Sequence, residues 1–201
     1  MMQNVKENIY EKLLLLCASS SVAVLLLIVI FISFCGFPII MEIGLKEFVF
    51  GITWEPSLRS FGILPMLEGT IITTFGALII SVPLSVFTAI FLAEFAPLKI
   101  AKIISQAVEL LAGIPSVIYG FFGVMVIAPK VRQLFGGSGY SVMSASIVLA
   151  IMILPTIISI SEVAISAVPK GYKEASLSLG ASKWQTIFKV ILPAARPGIL
   201  A

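Results

Sequence analysis

The sequence contains no histidine and no aspartate, and all ten acidic residues are glutamate. The commonest metal ligand and the commonest acid–base group near neutral pH are thus missing, so metal or hydrolytic chemistry is not expected from this inventory. Charge of either sign is scarce. Only 11% of residues are charged, against about a quarter in a soluble domain. With 59% hydrophobic residues and a mean hydropathy of +1.14, the chain has too little polar surface for a soluble globule, and a bilayer is the solvent that suits it. Cysteine is limited to Cys17 and Cys35, both in the first apolar run. Their spacing matches no zinc or redox motif, and a disulfide between them would have to span most of one helix, which the geometry of the bond forbids. They read as two thiols acting as small hydrophobes. No glycine-rich phosphate loop of the P-loop type is present. No catalytic residue, metal, cofactor or nucleic-acid partner is expected.

What is present is a series of long apolar runs. The first extends from Leu13 to about Cys35, about 34 Å as a helix, enough to cross a hydrocarbon core of about 30 Å. It is too long for a signal-peptide core and no small-residue cleavage site follows, so an uncleaved transmembrane helix is expected. Residues 36–67 are mixed, with Pro38, Trp54, Pro56 and Pro65 among charged positions, and read as a loop with short structured pieces. Further spans are expected at about Gly69–Ala93, Ala107–Ala128 and Val142–Ile165, and a fifth apolar stretch starts at Ile199.

Basic residues orient these spans. With the N-terminus inside, Lys6, Lys12, Lys99, Lys102, Lys170, Lys173, Lys183, Lys189 and Arg196 lie inside, and Lys46, Arg59, Lys130 and Arg132 outside. Nine against four follows the positive-inside rule, which makes residues 166–196 cytoplasmic. No Lys or Arg lies near the middle of a span, and Glu68, Glu94, Glu109 and Glu162 fall at or near span ends. Intramembrane charges usually mark ion or proton pathways, so a proton-coupled transporter built from this chain alone is disfavoured. Pro83, Pro115 and Pro155 each fall inside an expected span. With the nearby small residues Ala112, Gly113, Ser116, Gly120 and Gly123, they fit a tightly packed bundle or kinked, movable helices around a pathway.

The cytoplasmic segment carries the most specific pattern. Pro169 suits a first helical residue, a short helix follows to about Leu179, and Gly180 suits the position after a helix end where φ is positive. Ser182 and Gln185 have the spacing of a capping box for a second helix, expected to end at Pro193. Neither helix is long enough to span. Ordinary connections are about two to eight residues, so a structured one of this length reads as a compact knob that a soluble partner could grip.

Glu174-Ala175-Ser176, then Gly180 five residues after that alanine, then Ile191-Leu192-Pro193, resembles the EAA loop of binding-protein-dependent (MetI-like) ABC importer permeases. Ser176 stands where the family has a second alanine. The resemblance implies an all-α polytopic transmembrane bundle of the type I permease kind, here with four complete spans plus the start of a fifth, where the family has six. It implies that residues 1–67 form a tail, first helix and external loop, and that residues 68–201 form an incomplete permease domain with its coupling segment at 166–196. Glu174, Ala175, Ser176 and Gly180 would be the positions coupling it to a cytoplasmic ATPase. Phe61-Gly-Ile-Leu-Pro-Met-Leu-Glu-Gly-Thr70, Glu109-Leu-Leu-Ala-Gly-Ile-Pro-Ser-Val-Ile-Tyr-Gly120 and Val148-Leu-Ala-Ile-Met-Ile-Leu-Pro-Thr156 resemble, more narrowly, the PstC permeases of phosphate importers. That implies a multi-pass cell-membrane protein in contact with lipid, a PstB-like ATPase, a second PstA-like permease and an extracytoplasmic PstS-like phosphate-binding protein. The permease itself would be non-catalytic. Import of another oxyanion, sulfate or molybdate, is the alternative. A membrane-embedded enzyme would need a nucleophile with a base, and every Lys lies in a loop or at a span end. A passive anchor would have no use for a glycine-broken helix pair at fixed spacing.

Overall fold

The computed structural model describes residues 2–200, with side chains described from Tyr10 onward. It is built almost wholly of helices, four of which are long and apolar enough to cross a membrane: Tyr10–Ile43, Leu64–Phe95, Ser116–Phe135 and Val142–Ser166. The chain divides into two compact units between Glu68 and Gly69.

The first unit opens with α1 (Met2–Ile43). The apolar run therefore continues as helix beyond the expected end near Cys35. Pro38 lies inside it, and Ile39, Ile40 and Met41 keep the segment apolar. The helix stops at Gly44, whose φ of 91° closes the chain with its N–H donated to the Ile40 carbonyl at 2.9 Å. Cys17 and Cys35 are free thiols on its exposed surface. A short α2 (Leu45–Phe50) follows, then a two-stranded antiparallel hairpin of β1 (Trp54–Glu55) and β2 (Ser60–Phe61), with Trp54 paired to Phe61 and Glu55 to Ser60. The Trp54 and Phe61 rings meet edge to face at 5.5 Å. Arg59 pairs with Glu42 at 3.1 Å, but both side chains are largely exposed, so the pair contributes little.

The second unit contains most of α3 (Leu64–Ile90), then α4 (Leu98–Ala112), α5 (Ser116–Phe122), α6 (Ala128–Phe135) and α7 (Val142–Ser166). The third long helix is thus Ser116–Phe135, not 107–128. The expected span is cut at Gly113-Ile114-Pro115, where Pro115 takes an extended conformation and precedes the first residue of α5. Tyr119 secures the break: its hydroxyl donates at 2.8 Å to the Leu111 carbonyl, which also accepts the Ile114 N–H at 3.1 Å. Lys99 and Lys102, expected in a connection, lie in α4. Pro83 and Pro155 do stay inside α3 and α7.

Apolar burial gives little drive between helices in lipid, so close approach and hydrogen bonds decide the packing. Ala77, Ser81, Ser85 and Ala89, spaced by four on α3, are all fully buried. Ser85 Oγ donates to the Leu154 carbonyl and Ser146 Oγ to that of Thr73, both at 3.2 Å. A Cβ on Gly76 would lie 2.5 Å from Ser146 Oγ. The small residues that set this contact are therefore on α3. Of those singled out around Pro115, Gly123 presses on Val148, while Gly120 has nothing within 4 Å of its Cβ position.

Three helical turns are one residue too wide. Each closes when the last residue before a proline donates its N–H five residues back: Ala96 to Phe91, Ala128 to Gly123 and Leu192 to Ile187. The prolines are Pro97, Pro129 and Pro193. A proline cannot donate to the carbonyl four residues before it, and its ring crowds that carbonyl. A widened turn just ahead of it relieves both problems. This corrects the expectation that Pro193 ends a helix: the turn at Ile187–Ile191 absorbs it, and α10 (Leu192–Leu200) carries on.

Candidate functional site

Two short helices leave the end of α7. The chain turns at Ala167, Val168 and Pro169, and α8 (Lys170–Ser178) begins one residue after the proline. It closes in a Schellman motif: Gly180 N–H donates to the Leu177 carbonyl at 3.0 Å, and Ala181 N–H to that of Ser176 at 3.2 Å. Gly180 makes this possible with φ of 82°, and nothing lies within 4 Å of its Cβ position, so the glycine serves the backbone angle and not the space around it. Then α9 (Lys183–Thr186) starts with a complete capping box. Ser182 Oγ accepts from Gln185 N–H at 3.3 Å, and Gln185 Oε1 accepts from Ser182 N–H at 2.8 Å. A hydrogen bond between the hydroxyls of Ser176 and the buried Thr186, at 3.0 Å, ties the two helices together.

The four residues singled out from the sequence therefore share one corner but do different things. Ser176 points inward to Thr186. Gly180 shapes the corner. Glu174 and Ala175 are exposed, and among the described residues the Glu174 carboxylate has no hydrogen-bond or ionic partner. Ala175, Ser176, Tyr172, Leu179, Ala181 and Val190 line a shallow, mostly apolar groove of about 360 Å³. Leu179 is 90% exposed at its edge. An apolar groove beside an unpaired carboxylate is a surface suited to a protein partner.

The other side of this corner is fastened to the end of α3, through residues that sequence reasoning did not single out as a site. The Lys173 ammonium pairs with the Glu94 carboxylate, whose side chain is only 10% exposed. Lys183 donates to the Glu94 backbone carbonyl at 2.9 Å and stands 4.0 Å over the Phe95 ring. Trp184 meets Phe95 at 5.2 Å and stacks on Phe188 at 5.9 Å. Below them Ile187 and Ile191 pack with Ala89, Ile90, Ile165 and Ala195 in one buried cluster. The only hint in the sequence is a lone carboxylate at a span end, followed by the helix-stopping Phe95-Ala96-Pro97. Glu162 is engaged elsewhere, accepting from Ser105 Oγ at 3.1 Å and so joining α7 to α4; Glu68 and Glu109 are exposed.

A second feature is a cavity of about 500 Å³ bounded by α3, α5, α6 and the first half of α7. Its walls are apolar with a few hydroxyls, those of Thr73, Ser116, Tyr119, Tyr140, Ser141 and Ser144, and no charged side chain lines it. Among the described residues no group of three His, Cys, Asp or Glu could hold a metal ion.

Comparison with known proteins places this arrangement. Residues 81–201 match the family model of the binding-protein-dependent transport system inner membrane component. The chain is 43% identical over 157 residues to the probable ABC transporter permease protein YqgH of Bacillus subtilis, covering 77% of this chain and 51% of that one. It is 38% identical over 168 residues to the phosphate transport system permease protein PstC of Mesorhizobium japonicum, covering 74% and 51%. The chain thus spans about half the length of these relatives. Among solved structures, the MetNI methionine ABC transporter in inward-facing conformations is similar, with a TM-score of 0.54 and 28% identity over 74% of this chain and 68% of that one.

Proposed function

Since the chain belongs to the family of binding-protein-dependent transport system inner membrane components, we propose that it is a permease subunit of an ATP-driven importer that moves inorganic phosphate into the cytoplasm. The observation that carries the reading is the corner at Gly180: two capped helices too short to span, held rigid by the Schellman motif and the Ser176–Thr186 bond, with a groove and a free carboxylate turned outward. A soluble ATPase subunit docks on that face, with Glu174 and Ala175 in the contact and Ser176 and Gly180 holding its shape. Nine basic residues against four support placing the corner and the N-terminus on the cytoplasmic side. The partners are a PstB-like ATPase, a second PstA-like permease and an extracytoplasmic PstS-like binding protein.

ATP binding draws the ATPase copies together, and the corner moves with them. Because α8 follows α7 directly and α9 runs through the wide turn into α10, the movement reaches the spans as a switch between two packings. Hydrolysis belongs to the separate ATPase; this chain supplies the path and the handle. Phosphate as cargo rests on the relatives named as phosphate permeases. The neutral wall of the cavity fits a path that an anion crosses without being trapped, while the binding protein selects it.

The test is uptake of labelled phosphate and sulfate into ATP-loaded vesicles, with the chain co-assembled with candidate ATPase, second permease and binding protein. Phosphate should accumulate only with ATP, and at least about tenfold faster than sulfate, a discrimination of about 1.4 kcal/mol. Preferential sulfate uptake overturns the substrate and keeps the permease; no movement of either anion overturns both.

A further inference from the structure

We propose that Glu94 is the transmission point through which the α8–α9 corner drives α3, acting as a positioning residue for transport. This deepens the permease reading and rests on it. The corner is covalently continuous with α7 and with α10 but not with α3. To move α3 in step with them, it needs a non-covalent link that fixes direction as well as distance. Apolar packing alone is a poor link of that kind, because apolar surfaces can slide past one another with little change in energy.

The Glu94 link has the directionality that packing lacks. Its carboxylate takes the ammonium of Lys173 from α8, and its backbone carbonyl takes the ammonium of Lys183 from α9. One residue in the wide turn that ends α3 is thus held by both arms of the corner at once. Two electrostatic circumstances make the hold specific. Carbonyls in the last turn of a helix lack intrahelical donors and carry the negative end of its dipole, and Lys183 supplies the missing donor from another helix. The same negative end disfavours a carboxylate, and Glu94 is nearly buried, so the two lysines compensate a charge that would be costly alone. The wide turn at Phe91–Phe95 and the extended Ala96 before Pro97 mark where the span that begins with α3 stops, so the pull arrives at its end. Phe95, in contact with both Lys183 and Trp184, adds to the hold.

The experiment measures uptake and ATP hydrolysis together, in the assembled complex with its ATPase, second permease and binding protein. Glu94→Gln and Lys183→Met each lower phosphate uptake about tenfold, within the usual range of a coupling effect, while hydrolysis continues, so fewer anions move per ATP. Lys173→Arg, which keeps the charge, retains most of the uptake. Glu94→Lys is inactive for uptake, and adding Lys173→Glu to it restores a substantial part. Equal loss of hydrolysis and uptake in Glu94→Gln, with the ATPase no longer co-purifying, makes Glu94 part of a structural support for docking and overturns the proposal. Unchanged uptake per ATP in both Glu94→Gln and Lys183→Met overturns it as well, while a wild-type complex that still imports leaves the permease reading standing. A wild-type complex that binds no ATPase and moves no anion overturns the permease reading itself, and this inference with it.

Discussion

Replacing Gly180 with valine lowers ATP-dependent uptake by about tenfold or more while leaving the long helices folded. The cause is the backbone. At φ of 82°, with nothing within 4 Å of its Cβ position, a new side chain meets no neighbour, but an L-residue in this conformation costs about 1–2 kcal/mol, and a β-branched one is a clear outlier there. The chain relieves the strain by giving up the Gly180–Leu177 and Ala181–Ser176 hydrogen bonds and letting α8 run on. That swings α9 about the corner, pulls Thr186 from Ser176 and lifts Lys183 off Glu94. Gly180→Asn separates this cause from others, since asparagine tolerates the left-handed region; it retains most of the uptake. Circular dichroism should show unchanged helix content in both variants. Full uptake in the valine variant would mean that the corner's shape does not matter.

A second substitution acts on stability instead. Gly139→Val should lower the unfolding free energy of the protein in detergent by about 3 kcal/mol or more, in the upper range for single changes. Gly139 also has φ of 82°, but its Cβ position is 2.2 Å from the Ala128 carbonyl oxygen and 2.9 Å from the carbonyl carbon. Both atoms are backbone at the start of α6, so no side-chain rotation relieves the clash. The Gly139 carbonyl also receives Ser144 Oγ at 2.5 Å, beside Ser141, which caps α7, so displacing the loop also weakens the start of α7. Gly136→Ala and Gly137→Ala are the controls. Their φ angles are positive too, but their Cβ positions are open, and each should cost about 1 kcal/mol. Equal midpoints for all three variants would show that the contact with Ala128 carries no weight.

Much of this architecture is readable from local chemistry. Apolar runs give the first, second and fourth long helices, because a stretch long enough to cross a bilayer without charge leaves few other choices. Gly180 and the Ser182–Gln185 box are also local, each needing only a backbone angle or a spacing of three. The break at Gly113–Pro115 is not local in that sense. Residues 107–128 are apolar on both sides of it, so hydropathy joins them, and a proline reads equally well as a kink or as a helix start. The Tyr119–Leu111 bond that decides the matter bridges two helices. Pro193 misleads for a related reason: a proline stops a helix only if the turn before it cannot widen, and the turn at Ile187–Ile191 does. Glu94 was visible as a carboxylate at a span end, but its partners lie 79 and 89 residues away, a distance that no periodicity spans.

The most direct test of the account is cysteine labelling and crosslinking at the corner. Cys17 and Cys35 are the only native cysteines and both lie free on exposed surface, so replacing them with serine gives a clean background. Leu179→Cys then probes the edge of the groove, and Tyr140→Cys, also well exposed, probes the loop before α7. The thiol at position 179 should react with a membrane-impermeant reagent only from the cytoplasmic side and crosslink to the ATPase subunit, while the thiol at position 140 should react only from the outside. Labelling of position 179 from the outside, or its crosslinking to the binding protein in place of the ATPase, would contradict it.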